Sequence, residues 1–273
     1  MGKKILVTGG AGFIGSHLCD ELISQNYEVT ILDNLSNGRL ENINPKVKFI
    51  NGDILDKSVC LLSTEDIDIV YHLACLGVRH SLHNPFLNHR VNAEGTLNML
   101  EASTFNKVDK FFYISTSEIY GDIQTFPITE EGIPKPKTVY GSSKLVGEHY
   151  TYSYNQCFNL NTSILRIFNN YGPRAHYKGD SGEIIPRSIV KALYNESPVI
   201  FGDGVVTRDF FYVKDTAKVL FLLWVDSSKF RNLIGYNQDT PFNIGLQETI
   251  NYYKELKSKG ILTPNIELIN WKK

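Results

Sequence analysis

A short apolar run, Lys4–Thr8, leads without a spacer into Gly9-Gly10-Ala11-Gly12-Phe13-Ile14-Gly15, and an amphipathic stretch over residues 13–25 follows. Glycines so spaced between a strand and a helix suit a backbone that must lie against a diphosphate. Gly9 allows a tight turn, Gly12 lets the chain approach the phosphates, and Gly15 lets the helix pack on the strand. Phe13 and Ile14 open the helix, whose free N–H groups point at the anion. Eighteen residues beyond Gly15, a second strand pattern over 28–32 ends at Asp33. A carboxylate there accepts hydrogen bonds from an adenosine ribose. It also repels a 2′-phosphate, which favours NAD over NADP, with Arg39 nearby as the residue that would favour NADP.

The alternation continues. Strand patterns at Lys48–Asn51, 69–73, 110–115 and 161–166 are separated by helical patterns at 85–104 and 139–157. Apolar strands alternating with amphipathic helices predict an α/β fold, a doubly wound parallel sheet of Rossmann type over residues 1–168. From Asn169 the texture changes. Residues 170–174 and 179–182 read as loops, with helices near 183–195 and 214–225. Residues 169–273 are expected to form a smaller C-terminal substrate lobe, with segments near 205–225 returning to the first domain.

Several function classes fall away. A formal net charge of −1, with no long basic run, lacks the footprint of a nucleic-acid binder. Cys19, Cys60, Cys75 and Cys157 are scattered and form no CxxC pair, so reduced thiols are expected rather than disulfides or zinc. His80, His83, His89 and His176 have no metal-ligand spacing with carboxylates, and no metal is expected. No apolar run reaches membrane-spanning length, and Ile5-Leu6-Val7 is too short for a signal segment. A soluble cytoplasmic protein is the expectation.

Ligands of such sheets bind beyond the carboxyl ends of the strands. The strand over 110–115 delivers Thr116, Ser117 and Glu118 to that edge. Tyr140 and Lys144, four apart at the start of a helix, share one face. Spacing alone proves little, because the chain has 15 tyrosines and Tyr-x-x-x-Lys occurs twice, again at Tyr253 and Lys257. The second pair sits in a charged C-terminal helix with no strand end before it and reads as solvated surface. At the first pair, oxidation of an alcohol needs a base. A phenol, with its ordinary pKa near 10, becomes one when a lysine ammonium and a positive nicotinamide favour the phenolate. His72 reads as a satisfied sheet-end histidine and Cys75 as packing.

Together Thr8–Gly15, Asp33-Asn34, Gly52-Asp53, His72-Leu73-Ala74, Ser115–Gly121, Tyr140–Lys144, Leu165–Arg174 and Phe201–Asp215 resemble the extended short-chain dehydrogenase/reductase family, in particular its nucleotide-sugar epimerases, dehydratases and decarboxylases. The resemblance implies NAD held by Gly9, Gly12, Phe13, Ile14, Gly15, Asp33, Asn34, Asp53, Ile54, Leu73, Ala74, Asn92, Tyr140 and Lys144. It implies a nucleotide-sugar substrate met by Arg79 and Ser81 in a loop over 77–85, by Asn169 and Arg174, and by Arg208, whose guanidinium can grip a diphosphate. Asn92 is implied to support the active-site helix, and pairing into a homodimer is implied for the helices over 85–104 and 139–157.

Thr116-Ser117-Glu118 resembles the decarboxylase pattern, whereas residues 77–85 resemble the epimerase substrate loop. The expectation is a UDP-sugar 4-epimerase working through a transient 4-keto sugar. The alternatives are a decarboxylase or dehydratase using Glu118. From another class, a non-catalytic NAD-binding scaffold or regulator is the competing reading. One departure stands out: after Phe242-Asn243-Ile244-Gly245 the chain passes directly into Leu246–Tyr253, which resembles the family's final helix, so the lobe is expected to be shortened there.

Overall fold

A computed structural model describes residues 2–122, 126–200, 202–205, 207–225, 240–264 and 266. Its main sheet has six parallel strands in the order β3-β2-β1-β4-β5-β6. They are β1 (Lys4–Thr8), β2 (Glu28–Asp33), β3 (Lys48–Asn51), β4 (Ile69–His72), β5 (Lys110–Thr116) and β6 (Thr162–Ile167). The order runs outward from β1 on one side and from β4 on the other. The reversal between these two strands opens a crevice at their carboxyl ends. Register brings Thr8 opposite both Leu32 and His72, so three strands end at one level.

Successive residues of β1 and β4 are buried alike: Ile5, Leu6, Val7, Ile69, Val70 and Tyr71 are inaccessible to solvent. A strand buried on both faces belongs to a sheet covered on both sides, as the unbroken apolar runs predict. The covering helices are α1 (Phe13–Ser24), α2 (Lys57–Ser63), α3 (Val78–His83), α4 (Pro85–His89), α5 (Gly95–Phe105) and α6 (Val139–Phe158). Contacts divide the chain into two units, Met1–Ile167 and Phe168–Lys273. The second contains β7 (Asn169–Tyr171), α7 (Ile184–Leu193), β8 (Phe210–Tyr212), α8 (Val213–Val225) and α9 (Phe242–Ser258).

The elements depart from expectation in identifiable places. Residues 85–104 are not one helix: a π-helical turn, Arg90–Glu94, separates α4 from α5. Such turns admit an extra residue and turn side chains to new partners. Here Asn92 reaches the loop after β4, with Oδ1 accepting from Leu76 N at 2.8 Å and Nδ2 donating to Leu76 O at 3.0 Å. The expected loop at 77–85 holds α3, after which Asn84 caps α4 by accepting from Leu87 N, with Pro85 in the first turn. Helix α2 was not anticipated, although Asp56 signals it by accepting from Ser58 N and Val59 N.

In the second unit, Asn169–Tyr171 was expected at the edge of a loop and is a strand paired in parallel with β8. Burial of Tyr171 and Tyr212 outweighed the local turn chemistry of Asn170 and Gly172. Helix α9 already begins at Phe242 and carries a larger correction. Tyr253 is fully buried rather than solvated, and its hydroxyl donates to Ala175 O. It packs edge-on against Tyr177, in a cluster with Ile189, Val190 and Leu262. The charges of α9 hid an apolar stripe, Leu246, Ile250, Tyr253 and Leu256, at helical spacing.

Candidate active site

The glycine turn is built as its composition requires. Gly9 has φ +71°, and a Cβ there would lie 2.8 Å from Ala74 N. A Cβ on Gly15 would lie 2.3 Å from Gly9 O, so any side chain would push α1 off the turn. Gly12 is the N-cap of α1, Phe13 and Ile14 open its first turn, and that turn has neither a side-chain cap nor an acidic residue. Its N–H groups therefore present a positive end suited to a phosphate.

Asp33, at the end of β2, is buried, with Oδ2 accepting from Ala11 N at 3.0 Å and Oδ1 from Leu35 N at 2.8 Å. Burial raises its pKa, and those two backbone donors oppose the rise. Each oxygen keeps a lone pair for a further donor such as a ribose hydroxyl. Asn34 donates from Nδ2 to Asp53 Oδ2 at 3.0 Å, while Asp53 Oδ1 accepts from Leu55 N. Ile54 is buried, and its carbonyl accepts from Asn98 Nδ2 at 3.0 Å. Leu73 and Ala74 follow β4, bonded to Thr8 through Leu73 N to Thr8 O and Ala74 N to Thr8 Oγ1. These residues fit a dinucleotide: an uncapped helix start, a turn of three glycines and one alanine, and a seated carboxylate.

At the end of β5, Thr116 is the N-cap of a short 3₁₀ turn, Ser117–Tyr120, and accepts from Glu118 N at 3.2 Å. Ser117 and Glu118 are half-buried in that turn. Thr138 caps α6 by accepting from Gly141 N, which sets Tyr140 in the first turn and Lys144 one turn later. The Thr116 hydroxyl acts on the Tyr140 phenol to lower its pKa. Lys144 is almost fully buried, donates to Ile114 O at 2.6 Å and lies 4.3 Å from the centre of the Tyr113 ring.

Burial drives the Tyr140 phenol well above its ordinary pKa, nearby Cys75 adds to the rise, and only the Thr116 hydroxyl opposes it. The Lys144 ammonium is bonded to the Ile114 carbonyl and lies over the Tyr113 ring. Burial also lowers the pKa of Lys144 itself.

Asn92 ties the π turn to α6 by donating to Ser143 Oγ at 3.0 Å. His72 is a satisfied buried histidine, its nitrogens 2.7 Å from Thr8 Oγ1 and 3.0 Å from Thr96 Oγ1. Sequence reasoning missed Thr8, Thr96 and Ser143 as partners. Thr8 had a signal, since it ends the strand that meets the glycine turn. Arg79 lies in α3 with Ser81, whose hydroxyl donates to Val78 O.

Within the second unit, Asn169 opens β7 opposite Phe210 and donates from Nδ2 to Asp209 O at 3.2 Å. That sets it beside exposed Arg208, whose Nη1 donates to Thr207 O. Arg174 follows β7 with a positive φ of 66°. Phe201 and Val206, within the stretch that carries Arg208, lie outside the described residues. Among the described residues, no group of three His, Cys, Asp or Glu side chains could hold a metal ion.

Comparison with known proteins gives a consistent result. The profile of the NAD dependent epimerase/dehydratase family matches residues 5–244. A putative UDP-glucose 4-epimerase from Methanocaldococcus jannaschii is 43% identical over 242 residues, 88% of this chain and 79% of that one. The UDP-glucuronic acid decarboxylase 1 of Xenopus tropicalis is 34% identical over 250 residues, and the match spans 89% of this chain but 56% of the decarboxylase. Among solved structures, the UDP-glucose 4-epimerase of Thermotoga maritima with UDP-glucose superposes with a TM-score of 0.85 at 29% identity, covering 93% of this chain and 99% of that one.

Proposed function

The chain belongs to the NAD dependent epimerase/dehydratase family, and on that premise we propose that it is an NAD-dependent UDP-sugar 4-epimerase, active as a cytoplasmic homodimer on UDP-glucose or a UDP-N-acetylhexosamine. The observation that carries the reading is the convergence of three groups: Thr116 at the carboxyl end of β5, Tyr140 in the first turn of α6, where the Thr116 hydroxyl acts to lower the phenol pKa, and Lys144 one turn further along α6. A scaffold or regulator needs a dinucleotide site but has no use for this grouping.

In the proposed reaction Tyr140 takes the proton of the sugar 4-hydroxyl, and Thr116 holds that oxygen in line. A transient 4-keto sugar results, and after it turns over Tyr140 returns the proton to the opposite epimer. Bound NAD would accept and return the C4 hydrogen with its electron pair, and its positive ring would offset the burial that holds the phenol protonated. Gly9, Gly12, Gly15 and the start of α1 would cradle its diphosphate, with Asp33 on the adenosine ribose. Leu73, Ala74 and Lys144 would face the nicotinamide half, and Asn34, Asp53 and Ile54 the adenine. In the second unit, Asn169, Arg174 and Arg208 would meet the substrate diphosphate, with Arg79 and Ser81 contributing from α3. Exposed Phe86, Phe105, Tyr152 and Phe158 on the helices around α5 and on α6 support pairing of two copies. Four free cysteines fit a reducing compartment.

The test is a panel of UDP-sugars incubated with NAD, the epimers separated by chromatography. The expected result is interconversion at C4, with no deuterium entering the ring carbons in heavy water. The decarboxylase relatives and Glu118 favour one second reading, which release of carbon dioxide from UDP-glucuronic acid would support. NAD should also bind far more tightly than NADP by calorimetry, and comparable affinities would remove the role given to Asp33.

A further inference from the structure

The buried polar groups between the glycine turn and α6 form two runs of hydrogen bonds joined through Asn92, the first ending on its backbone carbonyl and the second starting at its side-chain amide. Thr96 Oγ1 donates to Asn92 O at 2.7 Å, so its proton is committed. The His72 nitrogen beside it, Nε2, must therefore be the donor. Nδ1 is then an acceptor and takes the proton of Thr8 Oγ1 at 2.7 Å. Thr8 Oγ1 in turn accepts from Ala74 N at 3.2 Å. At the other end, Asn92 Nδ2 donates to Ser143 Oγ, which donates to Tyr140 O at 2.8 Å. His72, Thr96, Asn92 and Ser143 are at most 1% exposed, and Thr8 is inaccessible.

We propose that His72 is a positioning residue with two separable halves: Nδ1, through Thr8 and Ala74, sets the cofactor-side loop, and Nε2, through Thr96, Asn92 and Ser143, sets the start of α6 that carries Tyr140. The first half follows from the close approach of Gly9 to the Leu73–Ala74 peptide, which the Thr8–Ala74 bond holds in place. The second follows because Ser143 joins the π turn directly to the Tyr140 carbonyl. Only a neutral imidazole can donate at one nitrogen and accept at the other. Burial enforces this by lowering the His72 pKa to about 3, with the Lys144 ammonium adding to it. The inference rests on the proposed reaction for its second half and on cofactor binding alone for its first.

Two replacements divide the imidazole. In His72→Asn the side-chain amide reaches the Nδ1 position and can still accept from Thr8. In His72→Gln it reaches the Nε2 position and can still donate to Thr96. The expected result in the full chain is a crossed pattern. His72→Asn keeps NAD affinity and loses about tenfold in kcat, whereas His72→Gln keeps kcat at saturating NAD and loses about tenfold in affinity. Parallel losses in both variants, or none in either, would overturn the proposal. If neither variant folds, Thr8→Val should weaken NAD binding and Thr96→Val should lower kcat; the reverse assignment or equal effects would also overturn it. A wild-type protein that binds NAD but turns over no UDP-sugar counts against the proposed reaction. Calorimetry then decides this proposal, and equal NAD affinities in His72→Asn and His72→Gln overturn it.

Discussion

Tyr140 with Lys144, and Tyr253 with Lys257, present the same spacing in two units of the molecule, and their surroundings are alike to a point. Each lysine donates to a backbone carbonyl, Ile114 O or Leu193 O, and each lies over another tyrosine, Tyr113 or Tyr194. The tyrosine hydroxyls differ. Tyr140 is influenced by the hydroxyl of Thr116 at the carboxyl end of a sheet strand, a group that can accept or donate. Tyr253 meets the carbonyl of Ala175, which can only accept, inside an apolar cluster. A helical spacing of four places a phenol and an ammonium on one face. Whether the pair can move a proton depends on what stands opposite the phenol.

That contrast is broken or sharpened by substitution. The largest effect is expected for Tyr140→Phe, which should keep NAD affinity and the unfolding midpoint while lowering turnover by about 10²–10⁴-fold, the usual contribution of a general base. Near-full turnover in that variant would move the base to another residue. Next comes the acid sensitivity of the first unit. His72 is held neutral with a pKa of about 3, whereas an unfolded histidine titrates near 6.5. Below pH 6.5 the unfolded chain takes up a proton that the folded chain refuses. The stability His72 contributes is thus complete above pH 6.5 and declines as pH falls toward 3, by about 1.4 kcal/mol per unit. Urea denaturation between pH 7.5 and 5 should show this slope in the wild type and a shallower one in His72→Gln; coincident slopes would assign the proton elsewhere.

Smaller still is Tyr253→Phe, expected to leave activity per folded molecule intact and to cost about 1–2 kcal/mol by denaturant unfolding, because Ala175 O loses its donor in a buried site. A loss of turnover without a loss of stability would reverse the roles of the two pairs. The smallest effect is expected for Glu118→Gln. An epimerase needs no base for a carbon-bound proton, so this variant should keep at least about a tenth of the wild-type rate, a barrier change under about 1.4 kcal/mol. Collapse of activity would favour the dehydratase or decarboxylase chemistry.

Much of the first unit was legible before its structure. The glycine turn, the strands bounded by Lys4–Thr8 and Lys48–Asn51, and the placing of Thr116 and Tyr140 at strand and helix ends follow from short-range patterns that the observed sheet reproduces. The second unit was read less well. Its residues 169–171 pair with a strand about forty positions away, and the burial of Tyr253 depends on Ala175 and Tyr177, 78 and 76 positions earlier. No local period reports such partners, and the charges of α9 drew attention away from its apolar stripe.

By itself the sequence determined what depends on spacing along the chain: a turn that only glycine can make, an acidic residue one strand further on, alternating strands and helices that must form a covered parallel sheet, and a tyrosine and lysine on one helical face. The tertiary structure alone decided which of two identical spacings stands beside a hydroxyl, that burial raises the pKa of the Tyr140 phenol, and that His72 joins Thr8 to Thr96. Those outcomes rest on desolvation and on hydrogen bonds between residues distant in the chain, and neither quantity exists until the elements have packed.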